Sequence, residues 1–133
     1  MDEGFKLEIV NPEKSFLSKD GVSEVIVPAY EGDMGILKDH ISIISFLKPG
    51  LVKVFISGSN EETYYVEDGI IEFKNNCLSI LTSNIFDIKK IDQNVLKDSL
   101  TKAEEDTKNT EISDQKKYLL NQKIDVLKSL NLN

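Results

Sequence analysis

Between residue 5 and about residue 86, apolar and polar positions alternate in short runs. Beyond that point the apolar spacing lengthens to three and four. Phe5, Leu7 and Ile9 share one face of an extended segment and Lys6 and Glu8 the other, which predicts a first strand ended by Asn11-Pro12. Residues 15–18 predict a short second strand, Lys19-Asp20-Gly21 a turn, and residues 22–29 a third strand, where Pro28, lacking an N–H, marks an end or an edge. In residues 31–35, EGDMG, two glycines and two carboxylates predict a tight exposed loop. An apolar run follows, Ile41, Ile43, Ile44, Phe46 and Leu47, headed by the chain's single histidine, His40; it predicts a buried strand ended by the turn Lys48-Pro49-Gly50. Residues 51–56 and 63–67 predict a hairpin closed by Gly58-Ser59-Asn60. Residues 69–74 and 77–83 predict a second, closed by Asn75-Asn76, which tolerate a left-handed backbone. Short strands spaced about 8 to 12 residues apart predict an antiparallel β-sandwich or barrel.

From Asp87 onward there is no glycine or proline. Asp92 is placed to cap a helix to about residue 108, with Ile91, Val95, Leu100 and Ala103 as a narrow apolar stripe. Asn109-Thr110-Glu111 interrupts the pattern, and Thr110 or Ser113 caps a second helix to about residue 130. That helix carries a broader band of Leu119, Leu120, Ile124, Val126, Leu127 and Leu130. The expected fold class is therefore α+β: a sandwich over residues 1–86 followed by an antiparallel two-helix hairpin over residues 87–133. Helices this short are marginal alone in water and need a surface to dock on.

Charge divides at the same place. Residues 1–86 hold 7 lysines against 14 acidic residues, residues 87–133 hold 9 of each, and the whole chain carries −7. That balance argues against nucleic acid as a partner. All 16 basic residues are lysine, which excludes bidentate guanidinium forks. One histidine and one cysteine leave no ligand set for a metal. Cys77 is expected as a small core residue. Glu31 and Asp33 have no low-dielectric pocket to split their pKa values, and no Gly-rich phosphate loop is present, so no catalytic residue, cofactor or metal is expected. No apolar run approaches about 18 residues and no secretory leader opens the chain, so no direct membrane insertion is expected.

The ordered segments carry a resemblance. EGDMGIL at residues 31–37, His40 and the Lys48-Pro49-Gly50 turn resemble the epsilon subunits of F-type ATP synthases. So do residues 5–13, 65–73 (YVEDGIIEF) and 76–82 (NCLSILT). The resemblance implies a non-catalytic central-stalk subunit, peripheral on the cytoplasmic face of a bacterial plasma membrane. It would couple proton-driven rotation to ATP synthesis. By resemblance, Glu31 and Asp33 contact the c-ring and His40 lies where the gamma subunit meets the sandwich. Lys116, Lys117, Lys123 and Lys128 on the second helix would face acidic residues of the alpha/beta catalytic head when the hairpin extends to block hydrolysis. Two positions near His40 depart from the family pattern: Asp39 stands for a usual Gly or Asn, and Ser42 for a common Pro. The family's nucleotide motif, Ile-Asp-x-x-Arg-Ala, is degenerate here: Ile91 and Asp92 are kept, but Val95 and Leu96 replace Arg and Ala. Weak or no ATP binding follows. The rival readings are an ATP-sensing module and a generic β-sandwich interaction domain.

Overall fold

The structure is a computed structural model that describes residues 4–12, 15–57 and 61–130. Among these residues nine strands precede two helices. They are β1 (Phe5–Val10), β2 (Ser15–Ala29), β3 (Gly32–Leu37), β4 (Ile43–Leu47), β5 (Gly50–Ile56), β6 (Glu62–Val66), β7 (Gly69–Lys74), β8 (Cys77–Leu81), β9 (Ile85–Asp87), α1 (Gln93–Asp106) and α2 (Asp114–Ser129). One layer of the sandwich runs β3-β2-β5-β6-β9 and the other β1-β8-β7-β4, both meeting at β2. Leu7, Val25, Val54, Ile71 and Leu78 are buried between the layers, and Phe5 meets Phe73 edge-to-face at 5.5 Å.

Several expected boundaries move. The short strand, turn and strand expected across residues 15–29 are one continuous strand of 15 residues. Gly21, with φ +70°, bends the backbone without ending it, and the pairing registers with β1 and β5 shift close by, as at a bulge. The expected loop at 31–35 is mostly strand. Only the turn at Tyr30 and Glu31 reverses the chain, after which β3 pairs with β2 from Ala29↔Gly32 to Glu24↔Leu37. Its two glycines hid the alternation of Met34 and Ile36, which point inward. The apolar run after His40 is not buried throughout. Ile43 packs on the core and Leu47 is in it, whereas Ile41, Ile44 and Phe46 are 78%, 67% and 60% exposed. Cys77 is half-buried, not a core residue; it belongs to the outward set of β8, whose Leu78 and Ile80 face inward.

The hairpins form as expected. β5 pairs antiparallel with β6, although its closing residues Gly58-Ser59-Asn60 lie outside the described residues. β7 and β8 are joined by Asn75 and Asn76 at φ 51° and 54°, the two positive values a tight primed turn needs. Two pairings were not legible: β1 lies parallel to β8, and the short β9 adds to the edge of β6.

The helices are capped as their sequences suggest. The Asp92 carboxylate accepts from the Asn94 N–H at 2.7 Å, and the Ser113 hydroxyl, of the two candidates, accepts from Lys116 N at 3.1 Å. The inward stripe of α1 keeps the expected Ile91, Leu100 and Ala103, but its remaining position is the buried Leu96 rather than Val95, which is 46% exposed. Leu96 and Leu127 close over Tyr65 on the outer face of the β5-β6-β9 layer. Leu51, Phe86 and Ile91 join this second apolar cluster, which is separate from the sandwich core.

Candidate functional site

The outward positions of the β1-β8-β7-β4 layer carry a row of apolar side chains. Register places Val10 opposite Leu81, Leu81 opposite Ile70, and Ile70 opposite Phe46. Their neighbours Ile9, Ile80, Ile71 and Leu47 point into the core, so the row itself must face solvent, at 37%, 51%, 41% and 60% exposure. Ile44 extends the surface along β4, and Tyr30 borders a shallow depression of about 530 Å³ that Phe46, Ile70 and Leu81 also line. A contiguous exposed apolar patch of this kind marks an interaction surface. Each member looks ordinary in its own strand; only the register makes them neighbours, so sequence patterning missed the row.

Of the two acidic residues, only Glu31 lies next to this row; Asp33 lines a depression on the hairpin side of the sandwich with Gly50, Leu51 and Val126. Glu31 is exposed in the turn next to Tyr30, whose N–H donates to Phe46 O at 3.1 Å. Asp33 is exposed on β3 opposite Pro28. His40 sits at the other end of β4, a strand of 5 residues, so about 17 Å of chain separates it from the acidic turn. Its Nδ1 lies 2.7 Å from the Ile41 carbonyl, which can only accept, and its ring meets Phe73 edge-on at 5.9 Å. The loop is pinned by Asp39, at φ 66°. Its N–H donates to Asn76 Oδ1 at 2.7 Å, and its carboxylate accepts from Asn76 Nδ2 at 2.9 Å. Asp thus fills a left-handed position where Gly or Asn would serve, and its carboxylate ties the loop to the β7–β8 turn.

The hairpin residues also separate. Asp92 spends its carboxylate on the helix cap, Ile91 packs in the hairpin cluster, and Val95 points outward with no group to pair with a phosphate. The four lysines do not form one patch. Lys123 reaches Glu67 beside β6 at 2.9 Å, Lys128 lies 3.8 Å from Glu104 of α1, and Lys116 and Lys117 are exposed in the first turn of α2.

Two buried tyrosines link β6 to charge. The Tyr64 hydroxyl donates to Glu62 at 2.9 Å, and Lys19 reaches the same carboxylate at 3.0 Å. The Tyr65 hydroxyl donates to Glu67 at 3.0 Å, and its ring stacks on Phe86. Burial first, then the neighbouring carboxylate, pushes both phenols well above their ordinary value near 10. Burial alone would raise Glu62, but the Lys19 and Tyr64 donors outweigh it and hold its pKa low. The phenols add a cost at alkaline pH. Below pH 10 folded and unfolded chains both keep these protons. Above it the unfolded chain releases them and the folded chain does not, so stability falls by up to ~1.4 kcal/mol per pH unit for each phenol. Urea unfolding between pH 8 and 11 should therefore show a falling midpoint, and Tyr65→Phe should flatten the decline. A midpoint independent of pH in that range would refute the assignment.

Among the described residues no group of three His, Cys, Asp or Glu side chains could hold a metal, and no helix is long and apolar enough to cross a membrane. The fold and its surfaces define an interaction module: a β-sandwich with one apolar face open and the other covered by a helical hairpin. The profile of the family described as the ATP synthase delta/epsilon chain β-sandwich domain matches residues 4–88. The ATP synthase epsilon chain of Pelagibacter ubique (strain HTCC1062) is 70% identical over 131 residues, covering 98% of this chain and all of that one. That of Dichelobacter nodosus (strain VCS1703A) is 34% identical over 104 residues, covering 78% and 72%. Among solved structures, a chain of the Euglena gracilis mitochondrial ATP synthase shares the fold at a TM-score of 0.75 and 18% identity, over 98% of this chain and 81% of that one. This chain belongs to the ATP synthase delta/epsilon family, as an epsilon chain.

Proposed function

We propose that this chain fastens the gamma subunit to the c-ring in the rotating central stalk of a bacterial ATP synthase. It transmits torque without making or breaking bonds, on the cytoplasmic side of the membrane. The observation that carries this reading is the apolar row Val10, Leu81, Ile70 and Phe46, which is the surface offered to gamma, with His40 at the far end of β4. Glu31, in the turn beside the row, and Asp33, at the start of β3, are offered to polar loops of the c-ring. A face for one partner next to a turn for another is the arrangement a fastening piece needs.

The hairpin regulates hydrolysis. In the docked form described above its apolar stripe is spent on Tyr65, Leu51 and Phe86, and among the described residues Lys123 and Lys128 have carboxylate partners while Lys116 and Lys117 are exposed. Extension would free Lys123 and Lys128 for acidic groups of the alpha/beta head. The test adds this chain, or its residues 1–88, back to a catalytic head stripped of it. Both should bind, and only the full chain should slow ATP hydrolysis. Binding without inhibition by either would remove the regulatory role, and no binding by either would refute the stalk assignment.

A further inference from the structure

Lys123 on α2 reaches across to the sandwich, where its Nζ lies 2.9 Å from Glu67 Oε2, just past the end of β6. The Tyr65 hydroxyl donates to that same oxygen at 3.0 Å. The Lys123 and Glu67 side chains keep only 24% and 21% of their exposure, and the Tyr65 ring below them is buried against Leu96 and Leu127. The other ion pairs of the hairpin, Lys102 with Asp106 and Lys128 with Glu104, stay within it. Among the described residues, Lys123 with Glu67 is thus the ion pair that joins hairpin to sandwich.

We infer that Tyr65, Glu67 and Lys123 form a latch that holds the hairpin on the sandwich. One carboxylate oxygen takes two donors from opposite sides of the seam, so neither partner can leave alone at low cost. Without Lys123, a carboxylate stays half-desolvated at the rim of an apolar cluster. Without Glu67, an ammonium and a buried phenol both lose their acceptor. The helices contribute little order of their own at 14 and 16 residues. The latch therefore weighs heavily on whether they stay docked. It also withholds Lys123 from any acidic partner, because an amine held at 2.9 Å by Glu67 is not free for a second carboxylate. That consequence rests on the regulatory reading above; the latch itself is a property of the isolated chain.

The test is amide hydrogen exchange on the full-length chain, comparing α1 and α2 with β7 and β8. Glu67→Lys and Lys123→Glu should each speed exchange in both helices by about tenfold, with the β7 and β8 amides unchanged. The double variant, which swaps the charges, should recover most of the protection. Tyr65→Phe keeps the ring and the ion pair, and should speed the helices by only about threefold. Unchanged helix exchange in the single variants would overturn the latch. So would equal acceleration of β7 and β8, which would make the pair a support of the whole fold, or a swap that restores nothing. Because the readout needs no catalytic head, a hairpin that is latched yet never inhibits would overturn the regulatory role and leave the latch standing.

Discussion

A chain carrying Phe46→Glu together with Ile70→Lys should fold normally and lose its hold on gamma. The two positions face each other across β4 and β7 and are 60% and 41% exposed, so neither supports the core. In the free chain the new side chains form an opposite-charge cross-strand pair, which contributes about 0.2–1 kcal/mol to the sheet. Under a partner the same pair would have to shed its water against an apolar surface, at a cost of several kcal/mol, while the aromatic anchor of the patch is lost. Affinity should fall at least ~100-fold, measured by surface-immobilised binding to gamma, with the melting temperature nearly unchanged. Wild-type affinity in this variant would place gamma on another face.

A large loss of stability is expected on substituting Gly50. A Cβ built there would lie 2.4 Å from Pro28 Cβ and 2.8 Å from its Cγ. Pro28 cannot move aside: its ring is rigid, it is buried, and β2 on either side of it is paired. Gly50→Ala therefore has to displace β5 itself, at a cost of about 3 kcal/mol. For a chain of this size that lowers the melting temperature by about 10 °C. The control is Gly21→Asn, which keeps a residue tolerant of φ +70° at a position with nothing within 4 Å of the added carbon, and should shift the melt far less. Equal melts for Gly50→Ala and the wild type would show that β5 has room to give.

What could be read in advance follows from where each signal resides. The helix caps were legible because Asp92 and Ser113 act on backbone groups two and three residues away. The β7–β8 turn was legible because two adjacent asparagines supply both left-handed residues it needs. Signals mixed within one segment misled. Gly32 and Gly35 made β3 look like a loop, and an apolar run with two apolar faces made Ile44 and Phe46 look buried. On α1 one position of the stripe was read as Val95 instead of Leu96, because both are apolar and only the docking direction distinguishes them. The apolar row and the Lys123–Glu67 contact lay beyond reach for a different reason. Each joins residues from different strands or from strand and helix, Val10 with Leu81 and Glu67 with Lys123, and that proximity exists only once topology and register are set.

In the stalk role proposed above this chain would be loaded by twist, and the path of β2 bears on its response. The strand pairs with β1 near its start, with β5 in its middle and with β3 from Glu24 to its end, and touches β4 at Ala29. Two stacked sheets held only by side chains could slip over one another under load, because apolar contacts are non-directional. Here sliding would stretch a covalent backbone and shear hydrogen bonds on both sides of it at once. The shared strand therefore opposes sliding of one layer over the other.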